Sequence, residues 1–228
     1  MVGFVFTESR VPHPMIPLPL LRRRPVWTML LTTSLVGGAA YAVGTVMFLL
    51  ALMPTIPGVS DGLGFSATRN ALVNAPGSVL ILTGAVAAGA FARRFDAWFL
   101  LATGGLLVAG GYGLIAMRHH TVPQLVLFGA VAAVGMGLVV AAIPILVVQA
   151  VRPDEQVVAN GAQAMAQGVT QTVLSQLAFV ILARDSRVVH GIRFHRDAGY
   201  SNGLLLTAGV AATGTALALI LRKRPAAG

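Results

Sequence analysis

The chain has 228 residues, of which 56% are hydrophobic and only 10% charged, and its mean hydropathy is +0.81. About a quarter of the residues are charged in a typical water-soluble domain, so this apolar excess needs a bilayer as its solvent. The net charge of +9 sits in clusters between apolar runs, as topology signals do, which argues against a nucleic-acid partner, and the lack of any cysteine excludes a disulfide framework, an iron–sulfur cluster and a thiolate zinc site.

Residues 1–7, MVGFVFT, are apolar but too short to cross a membrane and lack the basic start of a signal peptide. They read as the tail of a truncated helix. A Pro-rich stretch with Glu8 and Arg10 follows and ends in Arg22, Arg23 and Arg24; repeated Pro cannot continue a helix, so residues 1–25 form a cytoplasmic linker. Six apolar runs then predict six membrane-spanning helices over 26–53, 71–92, 97–117, 124–150, 158–183 and 203–221, each near or above the roughly 20 residues that a hydrocarbon core of about 30 Å requires. Pro54 and Pro57 stop the first, Pro76 lies early in the second, and Pro144 predicts a kink in the fourth. The connections are short, except for a Gly-rich one before Arg69 and a polar, Arg- and His-rich one over 184–202. Residues 26–221 form the membrane domain and 222–228, opening with Arg222, Lys223 and Arg224, a cytoplasmic tail. These long uninterrupted runs do not alternate apolar and polar as barrel strands do, so the fold class is an all-α membrane protein, a six-transmembrane-helix bundle.

One side of the bundle collects Arg10, Arg22, Arg23, Arg24, Arg93, Arg94, Arg152, Arg222, Lys223 and Arg224; the other has Arg69, Arg118, Arg184, Arg187, Arg193 and Arg196. The larger set places both termini in the cytoplasm of a multi-pass plasma-membrane protein.

The most informative feature is an absence. All seven acidic residues, all sixteen Lys and Arg and all five His fall outside the predicted spans. A proton relay uses intramembrane Asp, Glu or His, so a proton-driven mechanism takes its coupling group from elsewhere. The neutral polar groups within the spans are the candidates for function. Asn160, Gln163, Gln167, Gln171 and Ser175 recur at helical spacing on one face of the fifth span. An unpaired amide in hydrocarbon is costly, so this stripe faces protein or a water-filled path; solute contact and helix–helix hydrogen bonding are both open at this point. Asn70 and Asn74 precede Pro76, with Asn70 also a possible helix cap. Tyr41 shares a face of the first span with Ser34, Thr45 and three glycines. Gly129, Ala133 and Gly137, and likewise Ala164 and Gly168, are small-residue ridges suited to close packing. The loop histidines His119, His120, His190 and His195 have no metal-site spacing, and nucleophile-elbow, P-loop, zinc-protease and dinucleotide motifs are absent. No enzyme, metal or cofactor is expected.

Four stretches, ESRVPHPMIPLPLLRRRPVW, GFSATRNALVNAPGSV, GAFARRFDAW and the run from Val151 to Ala183, together resemble the C-terminal six-helix half of a major facilitator superfamily transporter, nearest to the fourteen-helix drug:proton antiporters. The resemblance implies half of a secondary transporter that exports small lipophilic compounds. It also implies a gating turn at Arg93, Arg94 and Asp96, although Arg93 stands where the family has an acidic residue and Asp96 where it has glycine. The expected partners are the lipid bilayer, a small-molecule substrate, and an N-terminal transporter half or a second copy of the chain. Asn74, Tyr41, Asn160, Gln163, Gln167 and Gln171 are the expected contacts with the solute or with the other half. The alternative is a non-transporting interaction or assembly subunit, or a remnant.

Overall fold

The structure, a computed structural model, describes residues 18–56, 60–92, 94–118, 121–184, 186–189 and 192–222. The expected helix tail over 1–7, Arg93 of the gating turn, and His119, His120 and His190 lie outside the described residues. After one helical turn at Leu18–Leu21 come six long helices: α1 (Arg24–Leu52), α2 (Ala67–Phe91), α3 (Ala97–Met117), α4 (Val122–Ala150), α5 (Gln156–Arg184) and α6 (Asp197–Leu221). All six are long and apolar enough to cross a membrane, as the sequence predicts. At about 1.5 Å per residue, the 29 residues of α1, α4 and α5 exceed the thickness of a hydrocarbon core and leave length for tilt or projection.

Local chemistry sets the helix ends. Ser66 caps α2 by accepting from the Arg69 backbone N–H at 3.2 Å, so the helix starts at Ala67, ahead of the expected 71, and Asn70 is already inside it. Asp96 caps α3 by accepting from the Trp98 N–H at 3.1 Å. Pro25 and Pro123 occupy the first turns of α1 and α4, where a missing N–H costs nothing. The α6 helix begins at Asp197, ahead of the expected 203, because a carboxylate in the first turn suits the positive end of the helix dipole. Both longer connections also differ from plain loops. Thr55–Ile56 pairs with Ser60–Asp61, and Ser186–Val189 with Ile192–His195, as two antiparallel hairpins. Strand pairing satisfies backbone groups that would otherwise need water.

The α3 and α4 helices pack over paired glycines: a Cβ on Gly104 would lie 2.7 Å from the Gly135 carbonyl oxygen, and one on Gly135 would lie 2.6 Å from that of Gly104. Tyr112 of α3 donates to the Ala40 carbonyl of α1 at 3.2 Å, and Ser201 of α6 donates to that of Ala116 at 2.8 Å. The packing has a twofold pattern. The α2 helix lies on α4 as α5 lies on α1, α3 packs on α4 as α6 packs on α1, and α3 meets α6. The halves α1–α3 and α4–α6 each hold three spans, so they enter the membrane from opposite sides, as inverted repeats do. The two helices that lie outermost in this arrangement, α2 and α5, are also the least buried.

A candidate solute pathway

A cavity of about 420 Å³ opens between α1, α2 and α4, toward the end of the bundle that bears the hairpins. Its walls are mostly apolar, with Met47, Phe48 and Met136 among them; the polar lining comes from Asn70, Asn74, Ser78 and Tyr112. Among the described residues, no Asp, Glu, Lys, Arg or His lines it. The space exists because Gly44 and Gly129 project nothing into it and have no heavy atom within 4 Å of where a Cβ would stand, while Gly77 keeps the α2 flank thin. Its size and apolar walls with a few polar groups suit a small organic molecule.

The expected site residues fall into three places. Asn74 lines the cavity, where its Nδ2 donates to the carbonyl and to Oδ1 of Asn70, both at 2.8 Å. That leaves the Asn74 Oδ1 as an acceptor beside the cavity. Tyr41 stands exposed on α1 between the cavity residue Gly44 and the buried Gly37. The α5 stripe divides. Gln163 is buried and donates from Nε2 to Gln167 Oε1 at 2.9 Å. The Gln167 Oε1 lies over α1, 2.9 Å from where a Cβ on Gly37 would stand. The Gln171 backbone N–H is 3.1 Å from the corresponding point on Gly38. Gln163, Gln167 and Gln171 thus sit at the α1–α5 contact, whereas Asn160 is exposed and donates back to the Gln156 carbonyl at 2.9 Å.

At the other end of the bundle, ion pairs tie the helix ends together. Arg222, just past α6, meets Asp96 at 3.1 Å, and Arg23, just before α1, meets Glu155 at 2.9 Å. Of the expected gating turn, Asp96 is therefore bound to the end of the last helix, and Arg94 is exposed. The ridge read from Gly129, Ala133 and Gly137 also divides: Gly137 packs on Ile81 and Ala85, and Gly129 opens the cavity. Gly168 meets nothing within 4 Å.

Sequence reasoning did not mark Gly44, Gly77 or Ser78 as pathway residues. The only signal for the glycines was small size, which also signals packing.

Six helices long and apolar enough to cross a membrane define a multi-pass, all-helical membrane protein. A family model for the Major Facilitator Superfamily matches residues 5–175, well over half of the chain, and the chain belongs to that superfamily. No curated protein matches the chain.

Proposed function

We propose that the chain forms one wall of an export pathway for small, lipophilic, uncharged compounds, as half of a secondary active transporter in the plasma membrane with both termini cytoplasmic. The observation that carries this reading is the cavity, whose apolar wall bears amides and hydroxyls and, among the described residues, no formal charge. Such a wall favours lipophilic solutes over sugar phosphates or amino acids, whose charges would be left unpaired. A second six-helix body, either another transporter half or a second copy, would complete the path along the flank of α2 and α5. These helices expose Asn74, Thr83, Asn160 and Gln176, and such side chains are better placed against protein or water than against lipid. The proton-coupling carboxylate would belong to that body, because the described parts of the six helices hold no carboxylate beyond Asp197 in the first turn of α6.

The test is uptake of a neutral lipophilic dye into inside-out vesicles under a proton gradient, the direction that corresponds to export from the cell. Asn74→Leu is expected to slow export about five- to tenfold, the worth of one hydrogen bond; an unchanged rate sinks the reading. The alternative, a non-transporting assembly subunit, is favoured by the placement of Gln163 and Gln167 at a helix contact. On that reading Gln167→Leu changes stability or assembly, and no chain-dependent export exists to lose.

A further inference from the structure

The twofold pattern allows the open cavity to be compared with its counterpart in the other half of the chain. Two backbone crossings anchor the comparison. A Cβ on Gly38 of α1 would lie 3.1 Å from the Gln171 nitrogen of α5, and one on Gly137 of α4 would lie 2.9 Å from the Ala85 nitrogen of α2. Gly38 therefore overlays Gly137, and Gln171 overlays Ala85. The same alignment places Asn74 on Asn160 and Asn70 on Gln156, and both asparagines donate to the carbonyl four residues earlier. The shielded positions agree as well: 73, 77, 80, 81, 84 and 88 on α2 correspond to 159, 163, 166, 167, 170 and 174 on α5, and both sets are buried or half-buried.

With this alignment, Gly77 corresponds to Gln163, Ile81 to Gln167, Gly44 to Ile143 and Gly129 to Leu30. Each glycine that opens the cavity is matched by a larger side chain. Three of these larger groups converge in space: Gln167 Oε1 and Ile143 Cδ1 both close on Gly37, at 2.9 and 3.3 Å from where its Cβ would stand, and Gln163 braces Gln167. The region between α1, α4 and α5 is thus a filled copy of the region between α1, α2 and α4.

We propose that this filled copy is a second, latent solute site facing the end of the bundle that bears Arg23 and Arg222, and that it opens when Gln163 and Gln167 swing away from Gly37. Once open, it takes small, largely apolar molecules with one hydrogen-bonding group, because the freed amides supply a donor and an acceptor within an apolar wall. The proposal rests on the solute-pathway reading for its role in export, but the site itself is tested without transport.

The chain has no cysteine, so one introduced thiol reports alone. In Gly37→Cys, alkylation by N-ethylmaleimide is expected to be slow. Adding Gln163→Ala and Gln167→Ala is expected to speed it about tenfold by removing the side chains that fill the site, and benzamide, a small apolar amide, is expected to protect the thiol of Gly37→Cys with both glutamines in place, since their amides supply its hydrogen bonds. An unchanged rate, or no protection, overturns the proposal. The reverse exchange guards against misfolding of the double variant: Gly77→Gln is expected to fill the open cavity and slow alkylation of Gly44→Cys, and a failure to do so counts equally against the proposal. If alkylation responds as expected and dye export is absent from the unmodified chain, the latent site stands and the export reading falls.

Discussion

Gly137 and Gly168 are both small residues on long apolar helices, and they carry different loads. A Cβ on Gly137 would lie 2.6 Å from the Ile81 carbonyl oxygen, a backbone atom that cannot turn aside, whereas at Gly168 there is nothing within 4 Å. Gly137→Ala is therefore expected to destabilise the bundle by about 1–3 kcal/mol through overpacking. Gly168→Ala is expected to be neutral or slightly stabilising, since alanine is the better helix former by about 1 kcal/mol. Thermal unfolding in detergent checks this, and equal shifts for the two variants would show that the α2–α4 crossing is looser than described. Both glycines lie in ridges that the sequence marks as packing surfaces. A one-dimensional spacing reports that a close approach is possible, and only the neighbouring helix decides whether it happens.

At the scale of elements, the ends of the helices are joined by ion pairs of unequal depth. The Glu155 side chain is only 14% exposed; it meets Arg23 at 2.9 Å and accepts from the Arg152 backbone N–H at 3.2 Å. Asp96 is 39% exposed and faces Arg222 across 3.1 Å. Loss of a charged acceptor from a largely buried group costs about 1–3 kcal/mol, whereas an exposed pair is worth less than about 1 kcal/mol. Glu155→Gln is thus expected to lower the melting temperature clearly, and Asp96→Asn only slightly, with the Asp96 effect fading in high salt. A larger loss at Asp96 than at Glu155 contradicts this ordering. The family resemblance of the sequence singled out Asp96 as part of a gating turn, but the partner, Arg222, lies more than a hundred residues away and had no local signature. The hairpins and the early start of α6 were missed for a local reason: backbone pairing and a helix dipole outweigh the polar composition of these segments.

At the scale of the whole molecule, α2 and α5 combine a mostly exposed surface with side-chain amides. If a second six-helix body covers that flank, the complex in mild detergent is expected to be clearly larger than one 23.6 kDa chain, and thiols placed at Leu82 and Leu177, both exposed, are expected to cross-link to it. A lone six-helix particle with no cross-linked product sinks the partnership and leaves the export reading without its second wall.

The number of spans and the helical class were legible in the sequence because an apolar run of membrane length has one economical solution once every backbone amide must be satisfied within its own segment. The absence of charge from the predicted spans was legible too, since it is read from the order of residues, but the helices run past those spans and take in Arg24, Arg69, Arg184 and Asp197 near their ends. Asn74 stood out by its position near Pro76, and the structure places it at the cavity between α1, α2 and α4. The sequence alone left the glutamine stripe of α5 open between solute contact and helix packing. Tertiary structure places Gln163 and Gln167 against Gly37, and it opens the cavity beside Gly44 and Gly77. Glycine and glutamine can each serve a pocket or a packed seam. Which one results depends on the distance to the next helix, a quantity set by the meeting of segments far apart in the chain.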